Sequence, residues 1–220
     1  EAIRNWAISH LGATGSFDVL PVIGSKELVA WLPTLLQSKN VIYPEVAYPT
    51  YLVGALLAQP NPIAVGVDAA TWPVADFAWI NSPGNPTGRV HSELELRAAL
   101  KWSRQNSATL ICDECYIDFG DTAQPTSLLK YTDGENSNVL VVHSLSKRSS
   151  MAGYRGAFLI GDSKLIAQVR EVRKHAGMMV PLPIQNAMVA ALSDEVHVQE
   201  QRARYNSRRS ILAPALQAAG

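Results

Sequence analysis

Residues 144–156 read SLSKRSSMAGYRG. This run sets one lysine, Lys147, just after the apolar stretch Val139-Leu140-Val141-Val142 and among hydroxyl side chains. Eight positions on it sets one arginine, Arg155, between Gly153 and Gly156. A lysine amine forms a Schiff base with an aldehyde. Serine hydroxyls such as Ser144 and Ser146, together with a guanidinium, can hold a phosphate. One small molecule bearing both groups would use the whole run. By itself the run is weak, because a lysine in a serine-rich loop is ordinarily just solvated, so its weight depends on other segments.

Two segments supply what is missing. Residues 109–116 read TLICDECY, an apolar β-rich run ending in Asp113, with Tyr116 three positions later. A carboxylate at the end of a buried strand is costly unless paired, and a protonated pyridine nitrogen is such a partner. Residues 81–88 read NSPGNPTG and follow Phe77-Ala78-Trp79-Ile80. Asn85 and Tyr116 can each donate a hydrogen bond to a phenolic oxygen. Alone, NSPGNPTG is an ordinary Pro/Gly loop. Together the three segments describe a site for pyridoxal 5'-phosphate, whose charged ring accepts electrons from a substrate Cα.

On NPTG (85–88), DECY (113–116) and SLSK with its downstream GYRG (144–156), the chain resembles the class I and II aminotransferases, the pyridoxal-phosphate family that includes aspartate aminotransferase. Two weaker matches lie earlier: Gly24-Ser25-Lys26 after FDVLPVI (17–23), and Tyr48 in AYPTY (47–51). The likeness runs over essentially the whole chain. It implies that Lys147 carries the cofactor and shuttles the Cα proton, and that Asp113 pairs with the pyridinium. Asn85 and Tyr116 would bond the phenolic oxygen, and Tyr48 would stack on the ring. Ser144, Ser146 and Arg155 would hold the phosphate with the backbone N–H groups of Ser25 and Lys26, where a helix start favours an anion. The family often has a proline two residues before the stacking aromatic; here that place is Val46. The resemblance also implies a cis Asn85–Pro86 bond, against a base rate of ~5–6% for X–Pro; a sharp turn there would let Asn85 point inward. Within the family, residues 24–36, the segment around Lys147 and residues 177–192 look most like the succinyldiaminopimelate transaminases of bacterial lysine synthesis.

The bulk properties bound the reading. The 220 residues suit one α/β domain or two small ones, and 47% hydrophobic content is ordinary for a globular protein. Nineteen basic and nineteen acidic residues balance, so nothing points to nucleic acid or an anionic membrane. No apolar run approaches the ~18 residues that span a bilayer, and no secretory leader is visible; a cytoplasmic location is expected by default. Cys112 and Cys115 form a C-x-x-C, but the pair straddles Asp113 at a strand end and no second pair of ligands exists. They read as packing residues with free thiols. The five histidines show no metal spacing, and His143 reads as a strand-end residue or as a neighbour of the cofactor.

The elements that must position these groups alternate between strand and helix. Apolar runs predict strands at 17–23, 41–46, 63–67, 77–81, 109–113, 139–143 and 157–161. Helical spacing predicts helices at 25–38, 50–58, 93–105 and 163–175. Continuous rather than alternating hydrophobes suit strands covered on both faces. A three-layer α/β/α fold with a mainly parallel sheet follows, the large cofactor-binding domain of the aminotransferase fold. Ligands bind such sheets beyond the carboxyl ends of the strands, where Asn85, Asp113 and Lys147 all lie. Residues 1–193 are expected to form this domain, and 194–220 a long helix toward a smaller one. The family's substrate-clamping arginine is then expected beyond Gly220, as is a homodimer in the full-length protein. An aminotransferase acting on amino-acid and oxo-acid substrates is the leading reading. A pyridoxal-phosphate-dependent C–S β-lyase and the non-catalytic aminotransferase-like domain of a transcription regulator are the alternatives.

Overall fold

In the computed structural model, residues 1–58, 61–120 and 124–220 are described. All seven expected strands form: β1 (Asp18–Ile23), β2 (Asn40–Pro44), β3 (Asn61–Val65), β4 (Phe77–Asn81), β5 (Thr109–Asp113), β6 (Val139–Ser144) and β7 (Gly156–Gly161). They make one sheet in the order β1-β7-β6-β5-β4-β2-β3. The neighbours from β6 across to β3 pair in parallel, while β7 runs antiparallel to both β6 and β1.

Helices cover both faces: α1 (Ala2–Leu11), α2 (Ser25–Leu35), α3 (Thr50–Leu57), α4 (Glu93–Asn106), α5 (Leu145–Arg148), α6 (Ser163–His175), α7 (Leu182–Leu192) and α8 (Val196–Ala219). The pleat divides the strand side chains. Ala78, Ile80, Leu110, Cys112, Val139, Val141, Phe158 and Ile160 pack with α1, α4 and α7. Phe77, Trp79, Ile111, Leu140, Val142, Ala157 and Leu159 pack with α2, α3 and α6. Burial on both faces is why the central strands read as unbroken hydrophobic runs. This is the expected three-layer α/β/α fold.

Local chemistry sets the helix ends. Ser92 and Glu95 close a reciprocal capping box at the start of α4, satisfying donors that the first turn leaves unpaired. Gly54 lets α3 lie on α2, because a Cβ there would come within 2.6 Å of the Val29 carbonyl oxygen. The differences from expectation are mostly at boundaries. α2 stops at Leu35 rather than 38, and β2 and β3 occupy 40–44 and 61–65 rather than 41–46 and 63–67. Helices α1, α5 and α7 are additions to the sequence reading. α8 fills the segment expected to be one long helix.

Candidate active site

Three parallel strands, β4, β5 and β6, lie side by side, and their register sets Asn81 beside Asp113 and Asp113 beside Val142. Their carboxyl ends therefore share one edge of the sheet, and from it emerge the 81–88 loop, the 113–116 turn and α5. At the β1–β7 pair, Ile23 faces Gly156, which brings Gly24 and Ser25 next to Arg155. A cavity of about 390 Å³ opens there. All ten residues singled out in the sequence line it: Ser25, Lys26, Tyr48, Asn85, Asp113, Tyr116, Ser144, Ser146, Lys147 and Arg155.

Asp113 forms the buried floor. Its Oδ2 accepts the Tyr51 hydroxyl at 2.9 Å and its Oδ1 accepts the Cys115 N–H at 3.1 Å. Burial pushes its carboxyl above the ordinary range, and the bonds from Cys115 and Tyr51 pull part of the way back. Burial, with Asp113 alongside, pushes the Tyr51 hydroxyl well up. Neither hydrogen-bond donor on this carboxylate is charged, so a cationic nitrogen arriving from the cavity meets an acid whose full compensation it can supply.

Lys26, Lys147 and Arg155 also line the cavity, so its lining carries positive charge. Lys26 Nζ lies 5.5 Å from the centre of the Tyr48 ring. Burial raises the Tyr48 hydroxyl's pKa, but hydrogen bonds from Lys26 and Thr50 and the charge of Lys147 outweigh it and hold the group below its usual value. Tyr116 is displaced the other way, by burial and by Cys115, Asp113 and Tyr48 nearby. Lys147 is exposed in the four-residue α5. The Ser144 hydroxyl caps that turn, accepting the Ser146 N–H at 3.1 Å.

Arg155 and the start of α2 form a cradle. Arg155 sits in the left-handed region (φ 59°) and its Nη1 donates to the Ala152 carbonyl at 2.8 Å. Its guanidinium lies on Gly24, where a Cβ would stand 2.2 Å from Nη2. Ser25 and Lys26, the first two residues of α2, line the same cavity as Ser144 and Ser146. A helix start beside a guanidinium suits an anion of phosphate size.

Several contributors escaped the sequence reading. Tyr51 holds Asp113. Asn81 ties the loop to the acid, its Nδ2 donating to the Pro83 and Asp113 carbonyls (3.1 and 2.9 Å) and its Oδ1 accepting the Asn85 N–H (2.6 Å). Both Asn85–Pro86, as expected, and Ser82–Pro83 are cis. Both cysteines are free thiols, as expected: Cys112 is buried in the core, and Cys115 packs against the other core cluster while also lining the cavity. His143 stays behind the site, its ring stacked on Phe158 and its Nε2 3.0 Å from Glu114 Oε2. Among the described residues no cluster of metal-ligating side chains occurs, and no helix is long and apolar enough to cross a membrane.

Residues 13–220 match the family model of aminotransferase class I and II. The chain belongs to that family. It is 50% identical to a probable aminotransferase of Mycobacterium tuberculosis over 99% of its own length and 53% of that relative. It is 46% identical to the 4-dedimethylamino-4-oxo-anhydrotetracycline transaminase OxyQ of Streptomyces rimosus, over 100% of its length and 63% of the relative. Among solved structures, a probable N-succinyldiaminopimelate aminotransferase from Thermus thermophilus superposes with a TM-score of 0.90 at 26% identity, covering 99% of this chain and 63% of the other. The chain thus spans a little over half the length of these relatives. The family depends on pyridoxal 5'-phosphate, and the residues fit that group: a buried acid for its ring nitrogen, a lysine for its aldehyde, and an arginine with a helix start for its phosphate.

Proposed function

We propose that this chain is the cofactor-binding large domain of a transaminase, with residues 1–193 as the domain and α8 as the helix toward a smaller one. The observation that carries the reading is the convergence of Lys147, Asp113, Asn85, Tyr116 and Arg155, from separate strand ends, on one cavity. When bound, pyridoxal 5'-phosphate supplies an electron sink for the substrate Cα. The chain's own residues do the rest. Arg155, Ser144, Ser146 and the first amides of α2 hold the phosphate. Asp113 keeps a proton on the ring nitrogen. Asn85 and Tyr116 donate to the phenolic oxygen, and Tyr48 covers the ring. Lys147 would be the residue to hold the aldehyde, and its Nζ would be the base for the substrate Cα proton.

The substrate's α-carboxylate needs a bidentate guanidinium. Arg89 pairs with Glu95, Arg97 with Glu93, and Arg104 donates to the Thr132 carbonyl, so these three are engaged elsewhere. In this reading the clamp is supplied from beyond residue 220. The exposed Ile211, Leu212 and Leu216 of α8 suit a covering domain there. For substrate, glutamate and an N-succinylated amino-oxo-dicarboxylate of lysine synthesis is the reading we favour, in a homodimer; the Thermus structural neighbour supports it. Loading with pyridoxal 5'-phosphate, borohydride reduction and peptide mapping test the site: the adduct is expected on Lys147, and an adduct on Lys164 or Lys174 overturns it. Glutamate should convert the loaded, full-length protein's spectrum. Pyruvate release from cystathionine instead would favour a lyase.

A further inference from the structure

Arg148 directly follows Lys147 yet is buried, at 4% exposure, while Lys147 is exposed. Its partners come from four other parts of the fold. Its Nε lies 3.2 Å from Asp118 Oδ2, its Nη2 pairs with Glu195, and its Nη1 donates to the Ala191 carbonyl at 3.4 Å. The guanidinium also sits 5.3 Å from the centre of the Trp6 ring. Asp118 in turn lies 2.8 Å from His10 Nε2. Asp118 stands two residues past Tyr116, Glu195 directly precedes α8, and Ala191 lies in the last turn of α7. One buried cation therefore joins α5 to the Tyr116 turn, to α1 and to the α7–α8 junction.

Such a cluster is a poor way to gain stability, because desolvating the ions offsets most of their attraction and an apolar side chain of similar volume often does as well. What it gives is a fixed geometry. α5 is a single turn of four residues, too short to hold itself, and its cap at Ser144 fixes only one end. At the other end the Ser149 hydroxyl meets His197 Nε2 at 2.9 Å, and Arg148 adds the buried ionic hold. We propose that Arg148 is the positioning residue of Lys147, locking α5 to Asp118 and Glu195 so that the lysine keeps its place against Tyr116 and Asn85. The proposal rests on the reading of Lys147 as the point of cofactor attachment.

The test uses the 220-residue protein with pyridoxal 5'-phosphate and the variants Arg148→Met, Arg148→Lys and Glu195→Gln. Three quantities are followed: thermal midpoint, the rate at which the visible lysine-linked band forms, and the pH midpoint of that band. Arg148→Met is expected to slow capture at least about tenfold, since an ångström of displacement in a reacting group can cost far more. The band's midpoint should move by about half a pH unit or more, because the lysine's charged neighbours change distance. Arg148→Lys should recover part of both. Should Arg148→Met fail to fold, Glu195→Gln decides on the same two readouts, since it removes only a partner whose side chain is 43% exposed. Variants that shift the thermal midpoint but leave capture rate and pH midpoint unchanged would show a merely structural arginine and overturn the proposal. Borohydride mapping of the wild type separates the two levels. No adduct on Lys147 removes the functional reading and this proposal with it; an adduct there with unaltered variants removes this proposal alone.

Discussion

Replacing Gly24 by Ala tests the phosphate cradle most directly. Gly24 has φ 76° and ψ 148°, a backbone conformation nearly closed to residues with a Cβ, and forcing one into it costs about 1–3 kcal/mol of stability. The new Cβ would stand 2.2 Å from Arg155 Nη2, against an ordinary contact near 3.5 Å. Backbone holds Gly24 between β1 and α2, so the guanidinium moves, by about 1 Å or more. That swing is cheap for a flexible side chain, but it takes the charge off the phosphate position. Losing one hydrogen bond to a charged group costs about 1.5–3 kcal/mol, which is roughly 10- to 150-fold in Kd. Absorbance titration with pyridoxal 5'-phosphate should show that loss. Pyridoxal, which lacks the phosphate, should bind the variant and the wild type alike, and Arg155→Ala should mimic Gly24→Ala. Denaturant unfolding of the free protein measures the backbone cost separately. Unchanged phosphate-ester affinity, or an equal loss for pyridoxal, would refute the reasoning.

Three further outcomes are expected. Asp113→Ala should weaken cofactor binding by about 1.5–3 kcal/mol and shift the bound cofactor's spectrum, both read in one titration. Glu27→Gln leaves the buried Arg173, now held at 2.8 and 2.9 Å, without its charge partner. Breaking a buried pair costs about 3–5 kcal/mol, reduced here to about 2 because the Glu27 side chain is 24% exposed; urea unfolding checks it. For Asp118, burial raises the pKa but the His10 hydrogen bond and the Arg148 charge outweigh it, so the folded value lies below the unfolded 3.8. The stability it contributes is present above 3.8 and lost as pH falls through the folded value. Asp118→Asn should therefore be less stable than wild type at pH 6, with the gap closing below pH 3.8; a gap constant with pH would contradict the assignment.

The sequence made the central sheet legible because β4, β5, β6 and β7 are buried on both faces and so carry unbroken apolar runs. The edge strand β3 and its neighbour β2 shifted by a residue or two, since Pro44 and Pro62 blur where pairing begins and β3 has no fully buried residue to anchor a pattern. α7 has Pro181 at its N-cap position and Pro183 in its first turn; proline suits a helix's first positions but adds no helical periodicity. The site's ionic and hydroxyl groups were visible because they sit in short local runs. Tyr51 and Asn81 were not, because each acts through a side-chain hydrogen bond to Asp113 or its backbone from a distant part of the chain. No local pattern encodes a contact that only the strand order creates, and the same holds for Arg148 and Glu195.

The pairing of Ile23 with Gly156 has a consequence for how the protein comes into being. One half of the phosphate cradle leaves the ribosome early, on the turn after β1, and the other half stays unmade until β7 is synthesised. β1 finds its neighbour only when β7 slots between it and β6, a contact of long sequence separation, and such contacts form slowly. The ligand site is therefore among the last things to exist. Whatever binds there selects the closed sheet over every earlier species, adding about 2.7 kcal/mol when present at a hundred times its Kd. A phosphate-bearing group bound there would act as a late staple on the polypeptide, and a shortage of it would deplete folded molecules.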